Sequence, residues 1–112
     1  MNTPNQPRRI LGEVTLTAGN LRNSHIYVTP FKHLLPTDIF GGSNKDEPAS
    51  RMAVIHYGAV TPVESDIPND KNLFRNRSWA REFLARTGAR PGDIVRFEAS
   101  EPHTYHISLV RS

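Results

Sequence analysis

The sequence contains no cysteine, which excludes disulfides and thiolate metal ligands and leaves no redox chemistry to argue for secretion. It also has no apolar run long enough to span a bilayer. The opening residues Met1 to Arg9 lack the apolar core of a signal peptide. The expectation is a cytoplasmic chain with no membrane contact, in which residues 1–11 form a flexible tail and 12–112 a single domain. Internal repeats are absent. The only glycine pair, in Gly41-Gly42-Ser43-Asn44-Lys45, lacks the Lys-Ser/Thr ending of a nucleotide phosphate loop and no helix is signalled after it, so nucleotide hydrolysis has no motif to support it.

What is present favours short strands. Nine prolines and seven glycines among 112 residues leave little room for long helices. Gly12 to Thr17 alternates with Val14 and Leu16 on one face, and Ile26 to Thr29 repeats that period of two. Between them, Ala18 to His25 reads as a polar loop with turn-forming Gly19 and asparagines. Pro30 opens a helical turn that Pro36 ends, and residues 41–50 are expected to be an exposed, mobile loop. Met52 to Tyr57 is apolar enough for a central strand, whereas Pro62 confines Val60 to Ser65 to an edge or a bulge. Leu73-Phe74, Ile94 to Glu98 and the alternation of Tyr105, Ile107 and Leu109 complete a count of about seven strands with one or two short helices.

The segment from Asp70 to Arg96 is the electrostatic centre. The formal charge is only +3, but Lys71, Arg75, Arg77, Arg81, Arg86 and Arg90 all fall before the turn at Pro91, with only Asp70 and Glu82 to offset them there. Within it, Ser78 is the expected N-cap of a helix whose Trp79, Phe83 and Leu84 form one apolar stripe and which Gly88 stops. That spacing makes Trp79 a core residue rather than a stacking platform for bases. Arg81 and Arg86 then face water, and Pro91-Gly92-Asp93 turns the chain into its return strand.

The order Phe74-Arg75-Asn76-Arg77-Ser78-Trp79, Phe83-Leu84, Gly92-Asp93-Ile94-Val95-Arg96-Phe97 resembles the DNA-binding pseudobarrel family, which includes plant B-three domains and the effector domains of EcoRII-type restriction enzymes. The bacterial restriction-associated branch is the closer likeness, through Gly12 to Thr17, Asn23 to Tyr27 and Gly41 to Lys45. The resemblance implies a mainly β, seven-stranded open pseudobarrel that grips the major groove of double-stranded DNA with two arms. The first arm is then Asn20, Arg22, Asn23, Ser24 and His25; the second is Asn69, Asp70, Lys71 and Asn72 with Arg75, Asn76 and Arg77. It also implies a recognition module for restriction-modification, with any cleavage performed by a nuclease domain or chain elsewhere.

The chemistry of those side chains agrees with that role. Arginine forms paired hydrogen bonds to guanine O6 and N7, and asparagine does the same to adenine. Arg8, Arg9, Ser43, Asn44, Lys45 and Arg81 suit phosphate contacts, which position a duplex without reading it. Neutralising about six phosphates gives a log-log salt slope near −5. The alternative is an RNA-binding or protein-interaction barrel that uses the basic hairpin as a general electrostatic surface. No catalytic residues, metal site or cofactor are expected. The acidic residues Glu64, Asp66 and Asp70 lie in and beside a proline-containing loop, the histidines at 25, 33 and 56 are scattered, and His103 and His106 are three apart on an expected strand and point to opposite faces.

Overall fold

The computed structural model describes residues 7–111. The chain is mainly β, with seven strands in two sheets and few helices. Five strands form a mixed sheet in the order β1 (Arg9–Thr15), β6 (Ile94–Glu101), β7 (Thr104–Val110), β3 (Ala53–His56), β4 (Val63–Ser65). Its neighbours are antiparallel except β3 and β7, which run parallel. The other two, β2 (Phe40–Gly41) and β5 (Ile67–Pro68), make a separate parallel pair. Among the described residues no ladder joins β1 to β4, so the sheet is open.

The long hairpin of β6 and β7 follows the alternation in the sequence. Val95, Phe97, Tyr105 and Ile107 are buried, and Arg96, Glu98 and His106 lie on the other face. β1 starts earlier than expected: Arg9 and Ile10 pair with Ala99 and Glu98, so Arg9 to Leu11 belong to the sheet and not to a tail. Residues 1–6 of the expected tail lie outside the described residues. A bulge between Ile10 and Gly12 shifts the β1 register, and a Cβ at Gly12 would stand 2.6 Å from the Phe31 ring. The missing side chain lets the strand lie over Phe31, whose ring sits 4.8 Å from that of Phe97.

Three expected elements differ. Ala18 to Asn23 is a short helix, α1, because the Thr17 hydroxyl accepts from the Asn20 amide (3.1 Å) and the Asn20 side chain accepts in return from the Thr17 amide (2.9 Å). Ile26 to Thr29 keeps its alternation, with Ile26 and Val28 buried and Tyr27 outward, but forms no ladder. Leu73-Phe74 is likewise not a strand, although Phe74 is buried. The backbone bond from Val28 N to the Asn72 carbonyl, 2.7 Å, links these two segments instead.

α2 (Ser78–Thr87) buries Trp79, Ala80, Phe83 and Leu84 and exposes Arg81 and Arg86. Its start differs from the expectation: Ser78 is the first helical residue, and Asn76 Oδ1 accepts from both its amide (2.9 Å) and its hydroxyl (2.7 Å). Gly88 ends the helix with φ of 64°, its amide and that of Ala89 returning to the carbonyls of the last turn. Trp79 lies 6.0 Å from the ring of Tyr57 and 6.2 Å from that of Phe74, which fastens α2 to the residue that follows β3 and to the segment before Arg75.

Candidate nucleic-acid interface

α1 ends in Ser24, whose left-handed backbone (φ 56°, ψ 43°) turns the chain, and the His25 amide bonds back to the Asn20 carbonyl. The turn directs His25 and Tyr27 towards the segment that follows β5. There, Lys71 N returns to the Pro68 carbonyl and closes a tight turn. Lys32 then crosses to this turn, donating to the Lys71 carbonyl (2.8 Å) and to Asn72 Oδ1 (2.9 Å). The segment that follows the first arm is thus tied to the second arm by backbone and side-chain bonds between residues about 40 apart in sequence.

A groove of about 510 Å³ opens between them. Of the first arm His25 lines it, with Tyr27 just beyond; Asp70, Lys71, Asn72 and Arg77 line it from the second, and Ser43 and Lys45 from the glycine-rich loop. Across it, Arg77 Nη1 donates to His25 Nε2 at 3.0 Å, and His25 Nδ1 meets the Tyr27 hydroxyl at 3.0 Å. Three segments distant in sequence therefore share one cationic groove.

Arg75 belongs to the groove's frame. Its Nε donates to Asp66 Oδ1 (2.7 Å), and its Nη2 donates both to Asp66 Oδ2 (3.0 Å) and to the Gly42 carbonyl (2.8 Å). The Ala49 amide donates to Asp66 Oδ2 at 2.8 Å. One carboxylate thus clamps β5's entry, the start of the α2 approach and the glycine-rich loop. Burial on its own would raise the Asp66 carboxyl. The hydrogen bonds from Arg75 and the Ala49 amide, with the guanidinium charge, outweigh burial and hold it below its ordinary value. The bond to Asp66 chiefly raises Arg75 in return.

The clamp also explains the paired glycines. A Cβ on Gly41 would stand 2.6 Å from Asp66 Oδ2, 2.6 Å from the Glu47 carbonyl and 2.7 Å from the Ala49 amide. Two of those atoms are backbone and cannot swing away. Gly41→Ala is expected to destabilise the fold by about 1–3 kcal/mol, read as a lowered denaturant midpoint at unchanged slope. Ser43 to Pro48 are exposed as expected, but Gly41 is buried within β2, and Gly42 N bonds to the Glu47 carbonyl at 2.7 Å. The loop is a braced turn at its base.

The other sequence candidates divide. Asn20 holds the start of α1 and lines a smaller neighbouring cavity of about 300 Å³ beside His25 and Tyr27. Arg22 and Asn23 are exposed on α1, Ser24 forms its cap, and Asn69 and Asp70 are exposed on the second arm. Asn76 is occupied in capping α2, and Arg81 lies one helical turn beyond Arg77. Asn44 is exposed in the loop beside Ser43 and Lys45. Arg8 and Arg9 are not brought to the groove: Arg8 pairs with Glu98 at 3.8 Å, and Arg9 lines a separate cavity of about 360 Å³ with Leu34, Pro36 and Tyr105.

The acidic residues do not meet. Glu64 is exposed, Asp66 is buried in the clamp and Asp70 stands on the arm. Among the described residues no three His, Asp or Glu side chains converge as metal ligands. His103 lies in the turn between β6 and β7 and bonds to both oxygens of Asp38 (2.9 and 3.1 Å). His106 stacks on His56 with ring centroids 5.0 Å apart. Its neighbour across the parallel ladder was hidden in the sequence, because only the strand pairing brings the two rings together. Lys32 was missed as the link to the second arm, and nothing local marks a lysine that will bond 40 residues away.

No helix among the described residues is long and apolar enough to cross a membrane. Comparison with protein-family models, with curated proteins and with solved structures returned no match. The arrangement defines a mainly β domain with one braced, cationic groove.

Proposed function

We propose that this chain is a double-stranded DNA-binding domain of open pseudobarrel type, which reads a specific sequence through its two arms. The observation that supports this most is the meeting of both arms and the Gly41 to Lys45 loop on one groove, with Arg77 and His25 in contact across it. A solvated basic strand edge needs no such bracing. Here Lys32, Asp66 and Arg75 hold the segments at fixed separation, as a sequence-reading surface requires.

Arg77, His25, Tyr27, Lys71 and Asn72 form the reading surface in this proposal. Arg22, Lys45 and Arg81 contact phosphates, with Ser43 and Asn44 supporting, and Arg75 builds the frame. Burial of Trp79 removes the largest aromatic face, so stacking of single-stranded bases is the poorer fit. The role is recognition without catalysis, supplied to a nuclease domain or chain in a restriction-modification or similar bacterial system. Asp66 supports the non-catalytic reading, because its oxygens are already engaged by Arg75 and Ala49.

Selection from a random duplex pool tests the proposal: one short motif should be enriched. Uniform weak binding, or preference for RNA or single strands, would sink it in favour of a general electrostatic surface. With Arg8 and Arg9 away from the groove, Arg22, Lys45 and Arg81 neutralise about three phosphates, and the log-log salt slope is expected near −2.7. A titration of affinity against salt measures it. Mg²⁺ should leave bound DNA uncut.

A further inference from the structure

The hydrogen bonds already made inside the groove restrict which bases it can read. A guanidinium carries only donors, so in the contact between Arg77 and His25 the imidazole Nε2 must be the acceptor. The proton of His25 then sits on Nδ1 and is donated to the Tyr27 oxygen, and the Tyr27 hydroxyl keeps its own hydrogen for an outside acceptor. One of the five donors of Arg77 is engaged. The others are enough for a pair of parallel bonds.

Asn20, Asn72 and Asn76 offer no equivalent for adenine, and the exposed Asn23, Asn44 and Asn69 do not line the groove. A paired adenine contact uses the amide oxygen towards N6 and the amide nitrogen towards N7. Asn72 Oδ1 is turned onto Lys32 (2.9 Å), Asn76 Oδ1 onto Ser78 (2.7 Å) and Asn20 Oδ1 onto the Thr17 amide (2.9 Å). Each therefore presents chiefly donors outward. The ammonium groups of Lys45 and Lys71 are donors as well, and Asp70 supplies the one carboxylate along the groove. Guanine is the base whose major-groove edge carries two adjacent acceptors, O6 and N7.

We propose that Arg77 reads a guanine and that His25 is the positioning residue that holds it to do so, so that the recognised duplex contains a guanine at a fixed place. This rests on the DNA-binding reading above. His25 acts by limiting the freedom of a long, exposed side chain before the duplex arrives, which lowers the ordering cost of the contact. It also couples the arms, since the reader belongs to the second and its support to the first.

The test uses the full chain and the duplex it selects. The fixed guanine is replaced by each other base, and separately by 7-deazaguanine, which keeps base pairing and loses the N7 acceptor. The unaltered protein should lose affinity by about 5- to 150-fold on base replacement. Arg77→Ala should bind the original and replaced duplexes nearly alike. His25→Leu should lose about two- to tenfold of the discrimination, while its melting temperature and salt slope stay those of the unaltered chain. His25→Gln should retain most of it, because its amide oxygen can accept from Arg77. The 7-deazaguanine duplex reads the same contact without any mutation. A selected motif with no fixed guanine, discrimination that survives Arg77→Ala, or equal behaviour of His25→Leu and His25→Gln overturns this inference and leaves DNA binding standing. Failure to select any duplex removes the DNA-binding reading and the inference with it.

Discussion

Replacing Arg75 with alanine is expected to destabilise the fold by about 3 kcal/mol and to reverse the sign of one contribution to its pH dependence. The side chain of Asp66 is only 3% exposed and that of Arg75 23%, so the pair is largely shielded from water. Removing the guanidinium leaves a buried carboxylate with the Ala49 amide as its main partner and strips the Gly42 carbonyl of its donor. The cost is put at the low end of the range for breaking buried pairs because Arg75 is partly exposed. In the intact chain the folded Asp66 is more acidic than its ordinary value of 3.8. Its contribution to stability is then present above that value and disappears as the pH falls through the folded one. In Arg75→Ala, burial dominates and lifts the carboxyl instead. The folded state then binds its proton more tightly than the unfolded state, and stability falls as the pH rises from about 4 towards 7.

Urea midpoints between pH 3.5 and 7 for the original chain, Arg75→Ala and Arg75→Ala with Asp66→Asn measure this, with other carboxylates cancelling in the differences. The double variant should regain part of the lost stability and show no pH term from position 66. Parallel pH profiles for the original chain and Arg75→Ala would refute the clamp. If the proposed DNA binding holds, any loss of affinity in Arg75→Ala should fall alike on the selected and random duplexes, since Arg75 supports the loop carrying Ser43 and Lys45.

Trp79→Ala is expected to cost about 3–5 kcal/mol, a large part of the 5–15 kcal/mol that holds a small domain folded. Trp79 is 2% exposed and joins α2 to Tyr57 and to Phe74, one residue before Arg75. Trp79→Phe should behave differently. The indole Nε1 is buried with no hydrogen-bond partner among the described residues, a burden of about 1–3 kcal/mol that phenylalanine removes. That gain opposes the smaller ring's lost packing, so Trp79→Phe should lie within about 1 kcal/mol of the original chain. Calorimetric melting of both variants decides it. Equal, large losses would mean that the indole nitrogen is satisfied.

Local patterns in the sequence foretold the strands at β6 and β7, the buried stripe of α2 and its stop at Gly88, because each depends on side chains within a turn or a pleat of one another. Even α1 left a local trace, Thr17 three residues before Asn20, masked by the poor helix propensity of Gly19 and the asparagines. Arg75 and Arg77 show where such reading ends. They are two residues apart and chemically identical, and both were candidates for reading bases. Arg75 is engaged with Asp66 and with Gly42, 33 residues distant, whereas Arg77 reaches His25, 52 residues away.

The sequence by itself determined a mainly β chain, the buried stripe and stop of α2, and two polar segments rich in basic and amide side chains, since those follow from period, composition and turn chemistry. Only the tertiary structure decided that the strands divide between an open sheet and a separate pair, and that both polar segments face one groove. It also decided that one arginine is frame while its neighbour is presented. An arginine's hydrogen-bonding capacity is intrinsic to the residue; which partner fills it depends on contacts between distant segments, and those exist only once the chain has closed its loops.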